Sequence, residues 1–184
     1  MTNLKTILSA VVVVLWTVAI LIFNQPEAQD NDNTFQVQSY NDPSEYQEIH
    51  LYFADRNNLF LRAEKRRLAR SSDPAEAGEN ILKMLIQGSD QGLMRTIPEG
   101  TKIAALYLTD DATAYVDLSG EVKDNQPGGA ITELLTIYSI VNSLILNIPE
   151  IKRVKILICG RESITLAGHI SLRTHFKADM LLIR

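Results

Sequence analysis

The sequence predicts a small two-layer α+β domain in which two helices pack on one face of a mostly antiparallel sheet. Three observations carry that prediction. Residues 128–149 hold the strongest helical periodicity of the 184-residue chain outside its N-terminus. A second helix signal opens at Asp73-Pro74, between segments of alternating pattern. The elements then run strand, strand, helix, hairpin, helix, strand, and this order occurs once, which points to a single domain.

Composition bounds the function. Hydrophobic residues make up 46% of the chain and the formal net charge is −4, a balance that argues against a nucleic-acid partner. The single cysteine, Cys159, excludes an internal disulfide and a cysteine-rich zinc site. Inside the run V-K-I-L-I-C it reads as a small buried hydrophobe.

The chain begins with a six-residue cytoplasmic tip, residues 1–6, followed by an uncharged apolar stretch over residues 7–23 without Pro or Gly. A helix of that length rises about 1.5 Å per residue and nearly spans a hydrocarbon core of roughly 30 Å. Lys5 precedes it, and Glu27, Asp30 and Asp32 follow. The charge bias therefore places the remainder on the extracytoplasmic side of the inner membrane, behind a single-pass signal anchor. A cleaved signal peptide is the alternative, although N-Q-P-E-A-Q-D offers no clear small-x-small site. Residues 24–45, rich in Asn, Asp, Gln, Ser and Pro, read as a flexible tether.

The folded domain is expected over residues 46–173, with a C-terminal tail at 174–184. Ile49, Leu51 and Phe53 alternate with His50 and Tyr52, as in a strand. Asp55-Arg56-Asn57-Asn58 reads as a turn, and residues 59–68 as a second extended segment. Asp73, Pro74 and Glu76 supply a cap, a first-position proline and an acidic third position for a helix that Gly88 ends. Leu93, Met94 and Ile97 predict that the following loop packs down. Residues 101–108 and 112–118 flank Thr109-Asp110-Asp111 as a hairpin of uncertain register. Residues 153–159 form the last strand.

In the helix of residues 128–149, the steps of Ile131, Leu134, Leu135, Tyr138, Val141, Ile145 and Ile148 predict one buried stripe. Ile137, Ile140 and Leu144 lie off that stripe. Apolar residues on two sides suggest a sheet beneath and a partner above, so these three make a candidate partner face.

Chemical motifs are sparse. Neither a Gly-x-Ser-x-Gly elbow nor a phosphate-binding glycine loop is present. His50, His169 and His175 lack the spacing of a helical metal motif, so no metal, cofactor or catalytic residue is expected. Asp55 and Asp117 read as turn caps. Arg62, Lys65, Arg66, Arg67 and Arg70 form a basic cluster: either a charged strand edge guarded against aggregation, or a contact for an anionic surface such as a lipid head group, a wall polymer or an acidic partner. His50, Tyr52 and His169 are candidates for a ligand-binding face.

Several segments together resemble the GerMN domain of sporulation and spore germination proteins. They are L-Y-F-A-D-R-N-N-L-F-L at residues 51–61, I-L-K-M-L-I-Q-G at 81–88, G-L-M-R-T-I-P-E-G-T-K at 92–102 and A-Y-V-D-L-S-G at 114–120. They continue with G-G-A-I-T-E-L-L-T-I-Y-S-I-V-N-S-L at 128–144, V-K-I-L-I-C-G at 154–160 and T-L-A-G-H-I-S-L at 165–172. The resemblance implies a non-enzymatic envelope module, GerM-like, with a fold similar to ring-building domains, acting by protein–protein interaction, self-association or assembly. Binding of peptidoglycan or another cell-wall ligand is the alternative. The resemblance includes His169, whose ring is expected to bond a backbone carbonyl. It departs at Ser171, where the family usually carries an acidic residue.

Overall fold

A computed structural model of the chain describes residues 45–184, which belong to one compact unit. The expected anchor at residues 7–23 and all but the last residue of the tether lie outside the described residues. Among the described residues, no helix is long and apolar enough to cross a membrane.

Strand β1, Tyr46–Ala54, pairs antiparallel with β2, Leu61–Ala69, in unbroken register from Tyr46↔Ala69 to Ala54↔Leu61. Asp55 closes the turn between them: its Oδ1 accepts the N–H groups of Leu59 at 2.9 Å and Phe60 at 3.3 Å. Helix α1, Pro74–Gln87, starts where the capping signal places it, with the Asp73 side chain accepting the Ala75 N–H. It stops at Gly88, whose φ of 100° is one that glycine adopts without cost.

Strands β3, Ile103–Leu108, and β4, Thr113–Leu118, form the expected hairpin, with an irregularity between Ile103 and Ala105. Ala114, Val116 and Leu118 all point inward, so the alternation is clean once Ala112 is assigned to the turn, where its φ is 61°. A four-residue helix, α2, Glu121–Asp124, precedes α3, Ala130–Ile145. Strand β5, Arg153–Ile158, then pairs parallel with β4.

The single, mostly antiparallel sheet is therefore corrected to two sheets: a β1–β2 ribbon and a mixed β3–β4–β5 sheet. The parallel pair arises because β4 reaches β5 through α2 and α3, and such a crossover delivers the next strand in the same direction. The ribbon stays separate because α3, rather than another strand, occupies the free edge of β1.

Helix α3 packs against β1, α1 and β5. That arrangement overturns the expected partner face. Ile137, Ile140 and Leu144 are each 0% exposed and belong to the main core with Ile49, Leu51 and Phe53. The reading of a single stripe is also corrected: Leu135, Val141 and Ile148 are buried, whereas Ile131 is 46% exposed and Leu134, Tyr138 and Ile145 are partly exposed. Two layers of the same chain account for the helix's apolar excess. Cys159 is corrected too. It lies beyond β5, exposed, in a turn with φ of 53°, and not in the core.

The segment expected as a separate tail packs onto the domain. Phe176 and Val154 exchange backbone hydrogen bonds of 2.9 and 2.8 Å. The Phe176 ring meets Tyr138 edge-on at 5.9 Å. Asp179 and Asn142 exchange two hydrogen bonds, of 3.0 and 2.9 Å. Ile183 then lies beside Leu61 in a parallel bridge. Residues 176–183 thus run from β5 across α3 to β2.

Candidate functional site

The exposed edge of a strand leaves its outward N–H and C=O groups unpaired. On β1 those groups are taken up by side chains. Asn147 Oδ1 accepts the His50 N–H at 2.8 Å, and Asn147 Nδ2 donates to the His50 carbonyl at 2.7 Å. The Tyr52 N–H donates to Ser143 Oγ at 3.1 Å, and Ser139 Oγ donates to the Tyr52 carbonyl at 2.6 Å. Ala54 completes the row by pairing with Met94 through bonds of 3.1 and 2.9 Å. Thr136, Ser139, Ser143 and Asn147 recur at helical steps, so this polar seam was present in the sequence beside the apolar ones.

Tyr52 therefore does not present an open ligand face, whereas the His50 side chain stays partly exposed. Tyr52 is 7% exposed and packs with Ala54, Leu61 and Leu135 in a second small core cluster, and burial pushes its phenol pKa up. Asn147→Ala strips both hydrogen bonds from His50. We expect a loss of about 1–3 kcal/mol, read as a lower midpoint in urea, with faster amide exchange at His50.

Three buried charged groups hold loops. The Glu64 side chain, fully buried, accepts from the Ser89 hydroxyl and from the N–H groups of Asp90 and Gln91 at 3.1 and 3.2 Å, and it pairs with Arg66. Burial opposes its charge, but Ser89, the Asp90 N–H and Arg66 outweigh burial and hold its pKa below the usual value. The Glu133 side chain, also fully buried, accepts from His169 Nδ1 at 2.6 Å and from the N–H groups of His169 and Ile170 at 3.1 and 2.9 Å. Lys155 Nζ, on β5, donates to the carbonyls of Leu172 at 3.1 Å and Arg173 at 2.7 Å.

His169 is thus brought to a carboxylate and not to the backbone carbonyl expected from the sequence. Its side chain is half exposed. Glu133, the residue that fixes it, was missed because a lone glutamate in the first turn of a helix looks like an ordinary favourable charge at a helix N-terminus.

Strand alternation separates Arg66 from its neighbours Lys65 and Arg67 in the basic cluster. Arg66 faces inward, sharing its guanidinium among Glu64, Asp90 and the Gly88 carbonyl, so it is withdrawn from the expected anionic-surface contact. Lys65 pairs with Glu48 at 2.8 Å, and Arg67 lies 4.9 Å from the Tyr46 ring centroid; both remain exposed, as do Arg62 and Arg70. Asp117 accepts the Gly160 N–H at 2.8 Å, the turn-holding role its position suggested.

A groove of about 150 Å³ opens where the start of α1 meets the end of α3, lined by Gln47, Ser71, Ser72, Asn147 and Glu150 among others. Both Nδ2 hydrogens of Asn147 are already taken by the carbonyls of His50 and Ser143, and its Oδ1 accepts the His50 N–H. Among the described residues, no group of three or more His, Cys, Asp or Glu side chains is placed to hold a metal ion.

A two-stranded ribbon and a mixed three-stranded sheet packed around one helix make this a small α+β domain. The chain belongs to the Germane family, described as sporulation and spore germination, whose model matches residues 50–163. Among solved structures, it is similar to the tandem GerMN domains of the sporulation protein GerM from Bacillus subtilis. That likeness has 22% identity and a TM-score of 0.57, covering 70% of this chain and 45% of that one. The first GerMN domain of the same protein gives 20% identity and a TM-score of 0.55, covering 73% and 98%. A candidate lipoprotein from Clostridium perfringens gives 22% and 0.53, covering 73% and 89%. At these identities the likeness speaks to the fold. Among curated proteins, none matches the chain.

Proposed function

We propose that this domain is a non-enzymatic interaction module of the cell envelope, held on the extracytoplasmic side by the apolar segment at residues 7–23. The observation that carries the reading is the fate of the buried charges. Glu64, Glu133 and Lys155, the charged groups most deeply buried among the described residues, are each occupied in fixing a loop. Such groups shape a surface. With Ile137, Ile140 and Leu144 in the core, contact with other envelope proteins or with a second copy falls to the outer surface of the ribbon and the loops.

Crosslinking in intact cells, followed by light scattering on the purified full chain, tests this. Discrete crosslinked species or a defined oligomer are expected. A chain that stays monomeric and uncrosslinked at native abundance contradicts the reading. A wall-ligand reading draws on the polar groove at Gln47, Ser72 and Glu150. Retention on purified peptidoglycan, lost when Gln47 and Ser72 are both replaced by bulky residues, would favour it instead.

A further inference from the structure

The two outer edges of the β1–β2 ribbon are treated differently. In an antiparallel pair, alternate residues aim both N–H and C=O at the partner strand, and those between aim theirs outward. The bonds at the ribbon's two ends, Arg70 N–H to Glu45 and Asp55 N–H to Phe60, fix which residues are which. By the observed register, the outward set includes His50, Tyr52 and Ala54 on β1, and Leu61, Ala63, Lys65, Arg67 and Ala69 on β2. The β1 groups are met by Asn147, Ser143, Ser139 and Met94. On β2, the Leu61 carbonyl accepts the Arg184 N–H at 2.9 Å. Beyond it, among the described residues, the outward N–H and C=O groups of Ala63, Lys65, Arg67 and Ala69 meet no protein partner, and all four residues are exposed.

We propose that the outer edge of β2 accepts an extended acidic segment of a partner protein as a third strand. The proposal rests on the interaction-module reading and supplies the partner's chemistry. An open row of alternating donors and acceptors is a template for one more strand. The charge beside it selects which. Arg62, Lys65 and Arg67 on this strand and Arg70 just beyond it are exposed, and among the described residues Glu48 is the one carboxylate that pairs with any of them.

A second copy adding its own β2 would set basic side chains against basic side chains, which is unfavourable. A lipid head group or an anionic wall polymer matches the charge but cannot fill an alternating row of backbone donors and acceptors. Lysine and arginine on an edge repel neutral and basic strands, so the same charges that guard the edge leave it open to acidic ones.

The test uses the full chain in detergent micelles with two synthetic octapeptides, one alternating Glu and Thr, the other alternating Lys and Thr. Amide exchange is followed residue by residue. The Glu peptide should slow exchange at Ala63, Lys65, Arg67 and Ala69 by roughly tenfold or more, and the Lys peptide should not. Arg67→Pro removes an outward N–H and no ribbon hydrogen bond, so the fold should persist while the slowing disappears. If that variant fails to fold, the double reversal Lys65→Glu with Arg67→Glu should transfer the effect to the Lys peptide.

Unchanged exchange with the Glu peptide, equal slowing by both peptides, or slow exchange at the four amides before any addition would overturn the proposal. So would equal slowing by vesicles containing phosphatidylglycerol. Peptide binding without cellular crosslinks would sink only the broader envelope reading. Crosslinks without peptide binding would sink only this one.

Discussion

Leu144→Lys is expected to unfold the domain. Leu144 is 0% exposed and lies in the main core cluster on α3. Removing a buried leucine side chain costs about 2–5 kcal/mol on its own, and a lysine there must also bury or deprotonate an ammonium without a partner. Against a typical total stability of roughly 5–15 kcal/mol, such a change leaves little or no folded protein. Circular dichroism and the loss of a cooperative thermal transition read the result, and Ile137→Lys should behave alike. The control is Ile131→Lys on the same helix. At 46% exposure, Ile131 can carry a charge to water, and the change should stay within about 0.5 kcal/mol. A folded Leu144→Lys protein that had merely lost self-association would restore the outward face that the burial of α3 denies.

Glu133→Ala should cost about 3–5 kcal/mol and free the loop of residues 165–171. The change strands the N–H groups of His169 and Ile170 that the carboxylate now accepts. Burial alone would raise the pKa of Glu133. The Ile170 N–H, the His169 ring and the N–H groups of Ala167 and His169 outweigh burial and hold it below the ordinary carboxylate value. A carboxylate depressed in the folded state contributes stability that is complete above its unfolded pKa of about 4.3 and is lost as pH falls through the lower folded value. The wild-type chain should therefore lose stability in acid beginning below about pH 5, with Glu64 adding to the slope because its pKa is lowered too. Glu133→Gln should flatten that slope, as denaturant midpoints measured from pH 3 to 7 will read. An unaltered slope in Glu133→Gln would remove Glu133 from the acid response.

The elements were readable because local signals set them. Asp73-Pro74 and Gly88 bound α1 through capping and φ preferences that depend on a few neighbouring residues. The alternation of Ile49, Leu51 and Phe53 marked β1 for the same reason. What the sequence did not reveal was which surfaces meet. Apolar periodicity says that Ile137, Ile140 and Leu144 avoid water, but it does not distinguish another chain from another layer of the same one. The two sheets were read as one because β1 ends its hydrogen bonding on Ser139, Ser143 and Asn147, a replacement of strand by side chain that leaves no strand-like signal. Within the basic cluster, alternation alone separates Arg66 from Arg67, and it becomes usable once the register Ile49↔Arg66 is known. Glu133 and Glu64 escaped notice because their partners lie 36 and 26 residues away.

The path of residues 176–183 makes the joining of the two sheets depend on a late stretch of chain. Phe176 engages Val154, Asp179 engages Asn142 and Ile183 engages Leu61, so the two sheets and the helix between them are tied by the same late stretch of chain. The Leu61–Ile183 contact joins positions far apart in sequence, and contacts of that kind close loops whose entropy must be lost first, which slows folding. A nascent chain lacking these residues holds β1, β2 and α3 without the clasp that fastens them. A chain cut before Phe176 is therefore expected to be digested faster by protease than one that carries the clasp.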